Sequence, residues 1–556
     1  MAKMVEVICE NNHAKKLYTP GVTLMEIAAD QDITLANPIL GAMVNNQIHE
    51  LDYQIFNPKT VFFFDIAHPA GIRMYQRSLF FVLEKAIRDI LPGKRLSVEH
   101  SVSRGFYCEI EGFEGSIPLS LAFTIGDRMR ELINRDIPFT SEEKLTTEVQ
   151  SYYKNQGYTE KAMLLETRPH LYTTVYFLDD RMDYFYGCMV PSTGYLKKFD
   201  LVKYYDGMLL MVPKRSNPDE MEDLILQDKM FEIFREYKRW IDILGVSSIG
   251  SINKMVLSGK GDELIKVGEA LHEKKVAHIA DEIYTRRENV KVVLISGPSS
   301  SGKTTFAKRL AVQLLVSGLK PVTISLDNYF VDREHTPLDE NGDYDFESVD
   351  ALDIEYFNSD LLNLLSGKEI DVPKFSFENG KRFFDGTKLK IDEKTVLLIE
   401  GIHALNPLLT HLISDERKFK IYVSALTSLS IDGHNRIPTT DNRLIRRIIR
   451  DFRYRGYSAL NTISRWESVR RGEDKNIFPF QEEADIMFNS SLIFELGVLK
   501  RYAEPVLREV PTTVKEFAEA ERLLTFLENF VPINDNEIPP TSIIREFLGG
   551  SSFSYK

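Results

Sequence analysis

The sequence predicts a multidomain α/β protein whose largest unit is a doubly wound parallel sheet. Three observations predict it. The chain has 556 residues, room for about three or four domains at roughly 100–200 residues each. Short apolar runs at 292–295, 321–326, 395–399 and 419–423 suit buried parallel strands, and helical patterns lie between them. The first run leads straight into Gly297-Pro298-Ser299-Ser300-Ser301-Gly302-Lys303-Thr304.

Composition narrows the class. Hydrophobic residues make up 43% and charged residues 27%, a globular balance that excludes disorder along most of the length. The net charge of −13 makes the chain a poor wrapper of generic nucleic acid, and no nucleic-acid partner is expected. Cys9, Cys108 and Cys188 stand far apart, which excludes a disulfide scaffold and a CxxC-type zinc site and suits a reducing cytosol. No apolar run reaches about 18 residues, so no membrane span is expected. The first ten residues lack the basic start and apolar core of a signal peptide. A cytoplasmic protein is the expectation, with self-association left open.

Residues 1–66 read as a small mixed domain. Two short strands, 5–8 and 16–18, flank an Asn11-Asn12 turn. Thr23 and Glu26 have capping-box spacing, with a short helix ending near Asp30. Further strands fall at 42–44 and 61–64. This order is that of a ubiquitin-like β-grasp. With Tyr18-Thr19-Pro20-Gly21-Val22-Thr23-Leu24 and Val44-Asn45-Asn46, the segment resembles the TGS domain at the front of threonyl-tRNA synthetases.

Residues 67–215 resemble the editing domain that follows TGS in those synthetases, on Tyr75-Gln76-Arg77-Ser78-Leu79, Gly105-Phe106-Tyr107-Cys108-Glu109 and Val190-Pro191-Ser192-Thr193-Gly194. That domain uses His-x-x-x-His plus a later Cys and His to hold zinc. Here those positions fall on Arg77, Phe81, Phe185 and Met189, none of them a zinc ligand. A scaffold or docking domain is expected.

Residues 216–288 read as a helical connector opening at 220–224. Phe231, Phe234, Tyr237 and Ile241 recur at helical spacing, and the break at 258–261 separates two helices. Residues 289–500 form the central domain, and 501–556 a C-terminal helical segment and tail.

The stretch 297–304 matches G-x-x-x-x-G-K-[ST] throughout, after a strand and before a helical pattern of Phe306, Leu310 and Leu314. This is the P-loop of a nucleoside-triphosphatase fold. Gly297 and Gly302 let the backbone approach phosphate closely. The amides of Ser299, Ser300, Ser301, Lys303, Thr304 and Thr305 would point at the anion. Lys303 adds charge for the outer phosphates, and the Thr304 hydroxyl would ligate Mg²⁺. ATP and Mg²⁺ are the expected cofactors.

Two acids end strands in this domain. Asp327 follows the second apolar run and Glu400 the third, so both should reach the crevice beside Lys303. Glu400 occupies the Walker-B position and is assigned to metal. Asp327 has aromatic neighbours, Tyr329 and Phe330, able to wall an acceptor pocket, and is assigned as general base. The alternative for Asp327 is a helix N-cap.

With these residues in view, 290–500 resembles the uridine–cytidine kinase family, and more distantly phosphoribulokinase. Asp327-Asn328-Tyr329-Phe330 is similar to that family's Asp-x-Phe-Tyr element, which carries the base for a ribose 5′-hydroxyl. The stretch 345–353 is similar to the element whose carboxylate grips the ribose diol, and that role maps to Glu347. Arg443, Arg446 or Arg447, and Arg450 recur along a stretch resembling the family's lid helix, with Arg453 and Arg455 beyond. They would form one basic face over the phosphates, with Arg446 and Arg450 catalytic, Arg455 on the nucleotide and Arg443 on the acceptor. The alternative is a solvated basic helix.

The base-reading stretch departs from the family. Residues 373–382 keep Arg382, expected at the acceptor, but carry Phe375 for Tyr and Gly380 for His. Phe375 can stack on a base without hydrogen-bonding it, and Gly380 is expected to open space. The resemblance therefore implies an ATP-dependent kinase acting on the 5′-hydroxyl of a nucleoside, with the base unspecified. Two other readings stay open: a sugar-phosphate kinase of phosphoribulokinase type, and an RNA-binding regulator with the P-loop as a nucleotide switch.

Overall fold

A computed structural model describes residues 4–339, 342, 344–376 and 378–555. In the front unit, Val5–Cys9 pairs antiparallel with Ala14–Tyr18 and parallel with Lys59–Phe64. Gly41–Val44 and Gln47–His49 complete a five-stranded mixed sheet. The capping box is present: Thr23 N–H donates to Glu26 Oε2 at 2.8 Å and Glu26 N–H to Thr23 Oγ1 at 3.2 Å. The helix it opens, Leu24–Asp30, buries Leu24, Ile27 and Ala28 against the sheet.

The second unit packs helices Pro69–Ile90 and Leu119–Asn134 on a four-stranded antiparallel sheet. The four positions aligned with zinc ligands come together as a packed cluster. Phe81 and Phe185 rings lie 5.6 Å apart, and Ser78 Oγ lies 3.7 Å from Met189 Sδ. Arg77 donates to the Cys188 carbonyl. Among the described residues, no group of three or more His, Cys, Asp or Glu could hold a metal ion.

The connector differs from expectation in two ways. Helix begins at Asp228, not at 220. Glu220 N–H closes a turn onto Asn217 O, and Met221 bridges to Pro213 in extended form. Leu224 and Leu226 are exposed, so no apolar stripe exists there for a helix to bury. There are also three helices rather than two, Asp228–Leu244, Ile249–Leu257 and Gly261–Thr285. Gly245, at φ +67°, ends the first in a left-handed cap.

The central sheet contains β1 (Val292–Ser296), β2 (Lys320–Ser325), β3 (Thr395–Glu400), β4 (Lys418–Ser424) and β5 (Ile486–Asn489). Their order is β2-β3-β1-β4-β5, all parallel. Strands β1 and β3 are buried throughout, as their unbroken apolar runs require. Along β1 the pleat divides the core: Val292 and Leu294 join Phe231 and Phe234 on one face. Val293 and Ile295 join Val276, Ile279 and Ile283 on the other. The first and last connector helices thus clamp the two faces of the sheet. Helix α1 (Lys303–Val316) follows β1, α2 (Thr439–Arg455) follows β4, and α3 (Glu495–Arg508) follows β5.

The C-terminal segment contacts both the second unit and the central domain. Glu519 pairs with Arg73 at 3.0 Å. Ile543 and Phe547 enter the α1 core beside Phe306 and Leu310. Among the described residues, no helix is long and apolar enough to cross a membrane.

Candidate active site

The phosphate loop leaves β1 where the backbone is most tightly constrained. A Cβ at Gly297 would lie 1.9 Å from Val423 O, so only glycine lets β1 and β4 pair this closely. Gly302 turns at φ +85° into α1. The Ser300 and Ser301 hydroxyls are buried without a hydrogen-bond partner, two polar groups awaiting one. The Lys303 ammonium donates to Pro298 O at 3.0 Å. Burial lowers its pKa, while Glu400 and Asp327 pull it back up.

The two acids lie close enough for their charges to act on this lysine. Parallel pairing sets Ser325, at the end of β2, against Glu400, at the end of β3, and Ser325 Oγ donates to Glu400 Oε1 at 3.0 Å. Burial raises the Glu400 carboxyl, and the Asp327 charge raises it further. Asp327 stays open to solvent but is crowded by protein on its inner side, which raises it too; Lys303, Arg455 and Arg450 oppose that rise. Ser325, not Asp327, is the N-cap of the 3₁₀ turn Leu326–Tyr329.

The expected single basic face of α2 divides in two. Arg443 and Arg446 are fully buried. Arg443 Nε donates to Ser299 O at 2.9 Å and its guanidinium pairs with Glu473. Arg446 donates to Ser490 O at 2.9 Å and pairs with Glu495. Both hold the underside of the phosphate loop, because their spacing along α2 turns them toward these two acids. Arg447 donates to Ser299 Oγ at 2.8 Å. Arg450 and Arg455 reach the Asp327 side, both anchored on Asp451. The neighbouring Arg450 charge, more than burial, lowers Arg455 to about 10.

The acceptor side needs three corrections. Tyr329 does not wall a pocket: it is buried, and its hydroxyl donates to Asp360 Oδ2 at 3.1 Å. Arg382 donates through both Nη atoms to Asp353 Oδ2 at 3.0 Å and through Nη2 to Phe330 O at 3.2 Å, so it clamps the Phe330 turn. Gly380 opens no space, since a Cβ there would lie 2.7 Å from Arg333, whose side chain fills the position. Phe330, Phe346 and Phe375 form an aromatic group, with ring centroids 6.0 and 5.6 Å from Phe330. Glu347 keeps one carboxylate oxygen buried and unpartnered. Burial, then the Glu473 charge, raises it to about 7, and it feels Arg447, Lys303 and Asp327.

Several residues here carried no sequence signal. Glu473 accepts from Ser299 N–H at 2.9 Å. Glu546 and Tyr555, more than 240 positions beyond the loop, contact Thr305. No motif spacing predicts contacts of that separation.

Residues 292–493 match the Phosphoribulokinase / Uridine kinase family. A uridine kinase of Staphylococcus aureus is 28% identical over 197 residues, 35% of this chain and 86% of that protein. The core is a P-loop domain related to phosphoribulokinases and uridine kinases. A threonine–tRNA ligase of Halorhodospira halophila is 29% identical over 234 residues, 40% of this chain. The chain spans about a third, 36%, of that ligase, and the similarity belongs to the N-terminal region. Among solved structures, a "possible uridine kinase" from Bacillus stearothermophilus overlaps 36% of this chain and 89% of its own, at 18% identity and a TM-score of 0.25.

Proposed function

We propose that this protein is an ATP- and Mg²⁺-dependent kinase that phosphorylates the 5′-hydroxyl of a ribonucleoside. The observation that carries the reading is the gathering of Lys303, Asp327 and Glu400 at the carboxyl ends of β1, β2 and β3.

The residues fit the groups the reaction needs. The partnerless Ser300 and Ser301 hydroxyls and the α1 N-terminus suit phosphate. Thr304 and Glu400 would hold Mg²⁺, a cation commonly bound by one or two protein oxygens plus substrate phosphates. When bound, the cation neutralises charge on the phosphates.

Asp327 accepts the proton of the acceptor hydroxyl as it attacks. Its raised carboxyl is a stronger base than an ordinary aspartate, and its openness lets an alcohol reach it. Lys303, Arg450 and Arg455 offset charge on the oxygens in transfer. Glu347 would accept from a ribose diol through its free oxygen. The nucleoside family relationship favours this acceptor over a sugar phosphate.

A screen of nucleosides and sugar phosphates for ADP release tests the reading. Asp327→Asn should keep ATP binding and lower turnover by about 10²–10⁴-fold. Undiminished turnover in that variant would remove Asp327 as the base.

A further inference from the structure

The donors at the start of α1 already hold an anion, and it belongs to the protein. Glu546 Oε2 accepts from Thr305 Oγ1 at 2.6 Å and from Thr305 N–H at 3.3 Å. The Tyr555 hydroxyl lies 3.0 Å from the same Thr305 oxygen and 3.0 Å from Ser551 Oγ. Lys303 and Glu400 both sense the Glu546 charge.

The backbone that carries Glu546 is firmly seated. Ile543, Ile544, Phe547 and Leu548 are buried on either side of it. Arg545 pairs with Asp535 at 3.0 Å and donates to Ile538 O at 2.9 Å. Ile543 sits over Gly302, where a Cβ would come within 2.6 Å of its side chain. The half-buried Glu546 side chain is the part left to move.

A helix N-terminus binds carboxylate and phosphate through the same amide and hydroxyl donors. Two anions cannot share the two donors of Thr305, and each repels the other. We infer that Glu546 is a built-in competitor for the phosphate cradle: its carboxylate occupies a phosphate position on Thr305 and must swing away before a nucleoside triphosphate seats fully. The C-terminal segment thereby sets nucleotide affinity from outside the P-loop. This rests on the phosphate site proposed above.

The experiment is calorimetric titration of the full-length protein and Glu546→Gln with MgATP and with inorganic tripolyphosphate. Glu546→Gln keeps shape and removes charge, so both ligands should bind at least about fivefold tighter. Glu546→Asp, which shortens the reach by one methylene, should shift both ligands the same way and serves if the Gln variant does not fold. Equal or weaker MgATP binding in both variants overturns the competitor role and leaves the kinase reading standing. Tightening for MgATP but not for tripolyphosphate also overturns it, since the effect would then lie at the base or ribose. Failure of the unmodified protein and of both variants to bind either ligand removes the phosphate site itself.

Discussion

His434 and Asp183 form an ion pair, 2.5 Å from Nδ1 to carboxylate, buried between the loop that precedes α2 and the second unit. Lys161 reaches the same aspartate at 2.6 Å and Asp432 at 3.5 Å, and Glu84 lies 3.6 Å from His434 Nε2. The network ties the synthetase-like front of the chain to the loop that leads into the arginine helix. Breaking one partner of such a network leaves an uncompensated buried charge.

The pH dependence of stability follows from that pair. Burial lowers the pKa of His434, but the Asp183 charge outweighs it, and the imidazole ends raised from 6.5 to about 9. Its stabilisation is therefore complete below about pH 6.5 and is lost as pH rises through 9. The unfolding midpoint should fall by a few degrees between pH 6.5 and 9.5. His434→Gln should be less stable at pH 6.5 and should flatten that slope. Asp183 is depressed despite its burial, so its own contribution is lost only in strong acid. A His434→Gln profile parallel to the unmodified one would exclude the pair as the cause.

Arg443, expected on the acceptor, should prove structural. Arg443→Ala leaves the fully buried Glu473 with Arg470, at 3.3 Å, in place of two arginines, and should cost up to about 3 kcal/mol in urea unfolding. Joint replacement, Arg443→Met with Glu473→Leu, should recover much of that loss while still disturbing the Ser299 contacts. Recovery of stability without recovery of nucleotide binding would separate the two roles.

Glu347 should give acceptor binding a pH dependence near neutrality. With its carboxyl raised to about 7, it is charged above that pH and neutral below it. The acceptor KM should rise as pH falls from 8 to 6, by about tenfold if the charged form alone accepts from the diol. Glu347→Gln should raise KM and abolish the trend. Steady-state kinetics across that range checks both.

Gly297→Ala tests the tightest point of the fold. A methyl 1.9 Å from Val423 O forces β1 and β4 apart. The loss should reach about 4 kcal/mol or more, and nucleotide binding should go with it. Thermal unfolding and calorimetry read the two effects. A stable variant with an intact sheet would contradict the close approach.

The local features were readable from the residues alone. The capping box at Thr23, the buried parallel strands, the phosphate loop and the two strand-end acids were legible because each depends on neighbouring residues or on a short repeat. The two cores that flank β1 and the crevice beside Lys303 follow from those features through the rules of parallel sheets.

How individual side chains are used depends on long-range packing. Tyr329, Arg382, Arg443 and Arg446 carry the right chemistry at the right spacing, yet each is held by a distant acid: Asp360, Asp353, Glu473 and Glu495. Glu546 reaches Thr305 across 241 positions, a closure that no local pattern encodes. Spacing places a side chain on a face of its element. Which groups meet that face depends on how the rest of the chain packs, and in a buried site the nearest opposite charge takes the arginine.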